Sequence, residues 1–144
     1  MTLIAATAGA AIALVGQYLT RRGESSVRRS ELVLEQCSQL VSLSEDFRNR
    51  LWEERELGQA GRVDGWDLAA YRLAAARLNI LCRHQPLLSA LQEMSDAGKR
   101  LGAYWRRGNT DPDELELRYG HYKTAIQAFV EQSGAFVRSR LRRF

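Results

Sequence analysis

The sequence predicts an all-α protein: an N-terminal transmembrane-type helix followed by an antiparallel bundle of about four amphipathic helices. Three observations carry this expectation. Hydrophobic residues make up 45% of the 144-residue chain and fall in long stretches at spacings of three and four, the period of one helix face. Only 2 prolines and 11 glycines punctuate it, too few for a turn-rich sandwich. Residues 1–20 carry no charged side chain. The length suits one domain of ordinary size, expected at 23–144 behind an anchor helix at 1–22.

The anchor expectation rests on MTLIAATAGAAIALVGQYLT. Residues 3–19 form an uncharged run of about 26 Å as a helix, close to a hydrocarbon core of about 30 Å. Tyr18 stands at an interfacial position and Arg21 and Arg22 follow at once. Nothing basic precedes the run, unlike the leader of a secreted protein. A buried core helix of a soluble fold is the remaining alternative. Ala5, Gly9 and Ala13 recur every four residues, with Gly16 seven beyond Gly9, so one small-residue face is expected to pack against a copy or a partner in lipid.

Charge is segregated along the chain. Arg21, Arg22, Arg28 and Arg29 against Glu24 leave residues 21–30 at net +3. Arg138, Arg140, Arg142 and Arg143 give residues 134–144 a net +4, so the body at 31–133 is at −3 within a total of +4. A mildly acidic body with basic ends is unlike a uniformly basic nucleic-acid binder. The basic excess behind the anchor predicts a single pass in the cell inner membrane, N-terminus out, with the bundle cytoplasmic and both arginine clusters contacting anionic lipid. Two cysteines without CxxC spacing are too few for a disulfide scaffold and suit a reducing compartment.

The body divides at its turn signals. In 24–57 an apolar strip runs Val33, Cys37, Leu40, Phe47, Leu51, with Ser44 at the missing step and Leu34, Val41 and Trp52 widening it. The glycines of GQAGRVDG (58–65) predict a loop. Asp64, with Asp67 three residues on, is expected to cap a second helix that ends near Pro86. A third helix at 87–106 points Leu88, Leu91, Met94, Leu101 and Trp105 inward, and RRGNT (106–110) breaks it. Asp111-Pro112-Asp113-Glu114 then opens a long final helix. Its seam runs Leu115, Tyr119, Tyr122, Ile126, Phe129, Ser133, Phe136, extended by Val130, Val137 and Leu141. Short connections predict four antiparallel passes; the alternative is three, with Pro86 only kinking one longer helix.

Catalytic patterns are missing. His84 and His121 have no second ligand at helical spacing, and GxxxxGK(S/T), GxGxxG and GxSxG do not occur. His84 is expected to bond carbonyls at a helix end, His121 to lie on the surface or seam, and Cys37 to be a small core residue. Glu53, Glu54 and Glu56 are read as a solvated face. Tyr104-Trp105-Arg106-Arg107 is read as a helix end, with the aromatics turned inward.

The stretch ALVGQYLTRRGESSVRRSELV (13–33) resembles the N-terminal part of short actinobacterial open reading frames that pair a small-residue membrane helix with an Arg-rich helical bundle. The resemblance is one of pattern. It implies the same architecture and no assigned activity, and some such proteins sit beside defence or mobile-element genes.

The expected function is therefore a non-enzymatic, membrane-anchored interaction or scaffold protein, self-associating or holding a protein partner through helix faces. It needs no cofactor or metal, no small-molecule substrate is evident, and nucleic acid is disfavoured. Two alternatives stand beside it: an oligomerising membrane effector, pore-forming or holin-like, and a soluble all-helical oligomer with residues 3–19 as a core helix.

Overall fold

The structure, a computed structural model, describes the backbone of residues 2–142 and the side chains of residues 25–140 and Arg142. It is all-α, with helices α1 (Thr2–Leu57), α2 (Leu68–Leu81), α3 (Gln85–Arg106) and α4 (Pro112–Leu141) and no strand among the described residues. The chain divides into two compact units, Met1–Leu32 and Val33–Phe144. Among the described residues no helix is long and apolar enough to cross a membrane. The anchor expected at 1–22, with its small-residue face of Ala5, Gly9, Ala13 and Gly16, lies outside the residues whose side chains are described.

The second unit is a four-helix bundle made by residues 33–57 of α1 together with α2, α3 and α4. Contacts give its direction. Tyr71, in the first turn of α2, meets Ser95 in the middle of α3 at 2.7 Å, while the other end of α2 turns directly into α3. The Tyr104 hydroxyl near the end of α3 accepts from the Asp111 N–H at the start of α4. Along α1, Ser44 faces Tyr122 and Arg55 pairs with Glu116, so α1 and α4 also run antiparallel. The passes alternate in direction as short connections require.

Local chemistry sets the boundaries. α2 is capped by Asp67, whose carboxylate accepts from the Ala70 N–H at 2.9 Å, and not by Asp64. The intervening 60–66 turn bonds internally and drives Val63 into the core, which moves the helix start three residues on. Pro86 neither ends α2 nor kinks a longer helix. Cys82 leaves helical geometry at φ −124°, ψ 135°, and Pro86 sits in the first turn of α3, where its missing N–H costs nothing. Asp111 caps α4 on the Glu114 N–H at 3.1 Å, as its sequence predicts. Between α3 and α4, Gly108 (φ 68°) and Asn109 (φ 57°) take left-handed geometry, which these two residue types tolerate best.

The core follows the predicted strips closely. Val33, Cys37, Leu40, Ser44, Phe47 and Leu51 of α1 are all buried, as are Leu115, Tyr122, Ile126, Phe129, Ser133 and Phe136 of α4. The widening positions Leu34 and Trp52 are exposed, as is Val130, and Tyr119 is half-buried, because each bundle helix touches its neighbours along a narrow strip. In α3 Leu91, Met94 and Leu101 are buried as expected, but Leu87 is buried in place of Leu88; Leu88 and Trp105 are half-buried, and Ala97 and Gly102 complete the face. Gln36 is buried too, its Oε1 without a hydrogen-bond partner among the described residues.

Two glycines let the helices close around an aromatic belt. A Cβ on Gly98 would sit 3.0 Å from the Tyr122 ring, and one on Gly102 would sit 3.1 Å from Phe47. Phe47 stacks edge-on against Tyr122 at 5.9 Å and tilts against Trp66 at 4.9 Å, within the favourable range for aromatic pairs. The Trp66 indole N–H donates to the Leu43 carbonyl at 2.8 Å, which pins the ring to α1.

Candidate functional site

Helix α2 is apolar on both sides. Its inner face buries Tyr71, Ala74 and Leu78. Its outer face presents Ala69, Leu73, Ala76 and Ile80, spaced four, three and four, all exposed to solvent. Leu73 is 52% and Ile80 81% exposed, the latter the most exposed large hydrophobic among the described residues. Two large side chains alternating with two alanines make knobs and holes of the kind a second helix packs into. Arg72 and Arg77 flank the ridge and Arg83 follows it, all exposed, and α2 contains no acidic residue.

The basic ends are described in part. Arg28 and Arg29 of the first unit are exposed, as are Arg138 and Arg142 at the end of α4 in the second, while the Arg140 guanidinium lies 5.1 Å from the centre of the Phe136 ring. The side chains of Arg21, Arg22 and Arg143 lie outside the described residues. Within the second unit, α4 runs back toward the end at which Val33 enters, so its last arginines cap that end.

Groups that suggest chemistry in the sequence are occupied by packing. The His84 ring stacks on Phe136 at 5.7 Å and makes no cap bond, so its role is aromatic contact and not the carbonyl bonding expected of it. His121 is an exposed surface residue 3.9 Å from Glu93. Glu53 and Glu54 are not simply solvated. Glu53 binds Arg62 at 2.6 Å, and Glu54 accepts from the Trp105 indole at 2.7 Å and the Gly61 N–H at 2.9 Å. These two carboxylates tie the end of α1 to α3 and to the following turn.

The Tyr104 ring lies under Arg118 at 4.6 Å and Arg107 at 6.0 Å, so its faces are engaged within the bundle. Burial pushes the Cys37 thiol above its ordinary value, with the neighbouring Ser133 hydroxyl pulling the other way. A thiol so placed is a weak nucleophile. Among the described residues, no three His, Cys, Asp or Glu side chains gather closely enough to hold a metal ion.

Between α2 and α3 lies a cavity of about 490 Å³ that reaches Phe47 of α1 and Tyr122 of α4. Its walls come from four helices and the turn before α2, so no contiguous motif announces it. No family model matches the chain, and neither a curated protein nor a solved structure does.

Proposed function

We propose that this protein is a non-enzymatic interaction module: a helical bundle tethered to the cytoplasmic face of the inner membrane by residues 1–22, which docks a partner helix on the outer face of α2. The observation that carries it is the solvent-exposed ridge of Leu73 and Ile80 between Ala69 and Ala76. Full burial of two such side chains is worth about 1.5–3 kcal/mol each, so leaving both in water is a standing cost that a partner removes. Arg72, Arg77 and Arg83 select a helix with acidic flanks and oppose pairing with a second copy, which would bring arginines together.

The tether is supported by the uncharged run at 3–19, with Tyr18 and Arg21-Arg22 behind it. Exposed Arg28, Arg29, Arg138 and Arg142 add anionic-lipid contacts of about 1 kcal/mol each near a membrane surface.

Fractionation tests the tether: the full chain stays with membranes through carbonate and high salt and leaves only with detergent, and release by salt alone overturns it. A photo-crosslinker at position 80, with one at exposed Gln127 as control, tests the docking face in cells. The expected product joins position 80 to an acidic helix of another protein. A product joining two copies of this chain overturns that assignment.

A further inference from the structure

We propose that the cavity between α2 and α3 binds an aromatic carboxylate, with its ring against the aromatic floor and its carboxylate at the basic rim. Its volume, about 490 Å³, lies within the range of small-molecule sites. The floor is apolar and fixed. Phe47, Met94 and Tyr122 are buried and back it, while half-buried Trp66, held by its bond to the Leu43 carbonyl, lines it together with half-buried Leu88 and Ala75. A ring already locked by its neighbours loses little freedom when a flat ligand stacks on it.

The charge of the lining is one-sided. Arg72, Lys99 and Arg106 line the cavity and no Asp or Glu does, although the chain as a whole holds 17 acids against 21 bases. Arg72 and Lys99 make no ion pair among the described residues, and Arg106 reaches only Asp64, at 3.6 Å with both side chains exposed. A weak exposed pair of that kind yields readily to a bound anion.

The wall adds a specific polar contact. The Tyr71 and Ser95 hydroxyls lie 2.7 Å apart, and that bond uses only one of their two protons. With Tyr71 donating to Ser95, the Ser95 proton is left to donate to a ligand oxygen. A carboxylate fits better than a phosphate. The first turn of α2, the usual kind of phosphate seat, borders the cavity, but the Asp67 carboxylate already accepts from its Ala70 N–H and places a negative charge there.

The cavity is independent of the membrane tether and shares only Arg72 with the flanks of the α2 ridge. Titration calorimetry of 2-naphthoate into the purified full-length chain, with the same medium lacking protein as reference, tests it. The expected result is saturable binding at least about tenfold tighter than that of neutral 2-naphthalenemethanol, the margin a charge-assisted contact supplies. Equal affinity for the two overturns the carboxylate assignment, and no binding up to about 10 mM overturns the site. The double substitution Arg72→Glu with Lys99→Glu changes only exposed side chains and is expected to weaken naphthoate about tenfold or more with the helical circular dichroism unchanged. Ala75→Trp fills the cavity from α2 and is expected to abolish binding. Undiminished binding in either variant places the ligand elsewhere and overturns the proposal.

Discussion

Helix α4 buries Leu115, Tyr122, Ile126, Phe129, Ser133 and Phe136 on one face and covers the rest with polar residues such as Glu116, Lys123, Gln127 and Glu131, interrupted by exposed Leu117 and Val130. Helix α2 buries three side chains and leaves Leu73 and Ile80 on the other side in water. The two helices pack into the same bundle, yet only α4 shows its orientation in its sequence. Where the outer face is polar, the apolar strip can sit only one way. Where both faces are apolar, the bundle takes one and the other remains for something else. The outer face of α2 is greasier than its own core requires, and the proposed docking rests on that excess.

The widest expected gap separates Phe129 from Ile80. Phe129→Ala removes a fully buried ring and is expected to cost about 3–5 kcal/mol in urea unfolding. Ile80→Ser, at a position 81% exposed, is expected to stay within about 0.5 kcal/mol. A large loss from Ile80→Ser would mean that the ridge belongs to the core, and the contrast between the helices would collapse.

Glycines sharpen the same contrast. Gly98→Ala drives a methyl group toward the Tyr122 ring and is expected to destabilise by about 1–3 kcal/mol, less the helix-propensity gain. Gly120 lies on the open side of α4 with nothing within 4 Å of a new Cβ, so Gly120→Ala should stabilise by up to about 1 kcal/mol. Thermal melts of the two variants should move in opposite directions.

Both inner faces carry a buried tyrosine, which gives a pH test. Burial pushes Tyr71 and Tyr122 above the ordinary phenol value, and Cys37 above that of a free thiol. The folded chain therefore keeps protons that the unfolded chain releases. Stability is expected to be level below about pH 8 and to fall above it, by about 1.4 kcal/mol per pH unit for each group that the unfolded chain has ionised and the fold has not. Urea midpoints across pH 7–11 measure this. A stability that stays level above pH 10 would place both hydroxyls in water.

The smallest effect concerns the start of α2. Asp67→Ala is expected to cost about 1 kcal/mol by removing the cap on Ala70, while Asp64→Ala changes little. Equal losses would restore the earlier helix start.

The pattern of success along the chain follows the same physics. The strips of α1 and α4, the Asp111 cap and the Gly108-Asn109 break were legible because each depends on neighbours within about one helical turn or on a regular repeat. Adjacent leucines defeated the reading at Leu87-Leu88, since rotating the helix by one residue satisfies either choice equally well. Asp64 and Asp67 were both acceptable caps until Val63 was drawn into the core. Glu53 and Glu54 looked solvated because their partners, Arg62 and Trp105, are 9 and 51 residues away. None of the cavity was legible, its lining being scattered from Phe47 to Tyr122.

By itself the sequence determined that the chain is helical, where most of the helices begin and end, and that charge gathers at two arginine-rich stretches. Local hydrogen bonding and the 3.6-residue period suffice for that. Only the tertiary structure decided which side of α2 faces inward, which half of each ambiguous pair is buried, and that Arg72, Lys99 and Arg106 surround an aromatic hollow. Those outcomes depend on what lies across the bundle, where distance along the chain carries no information.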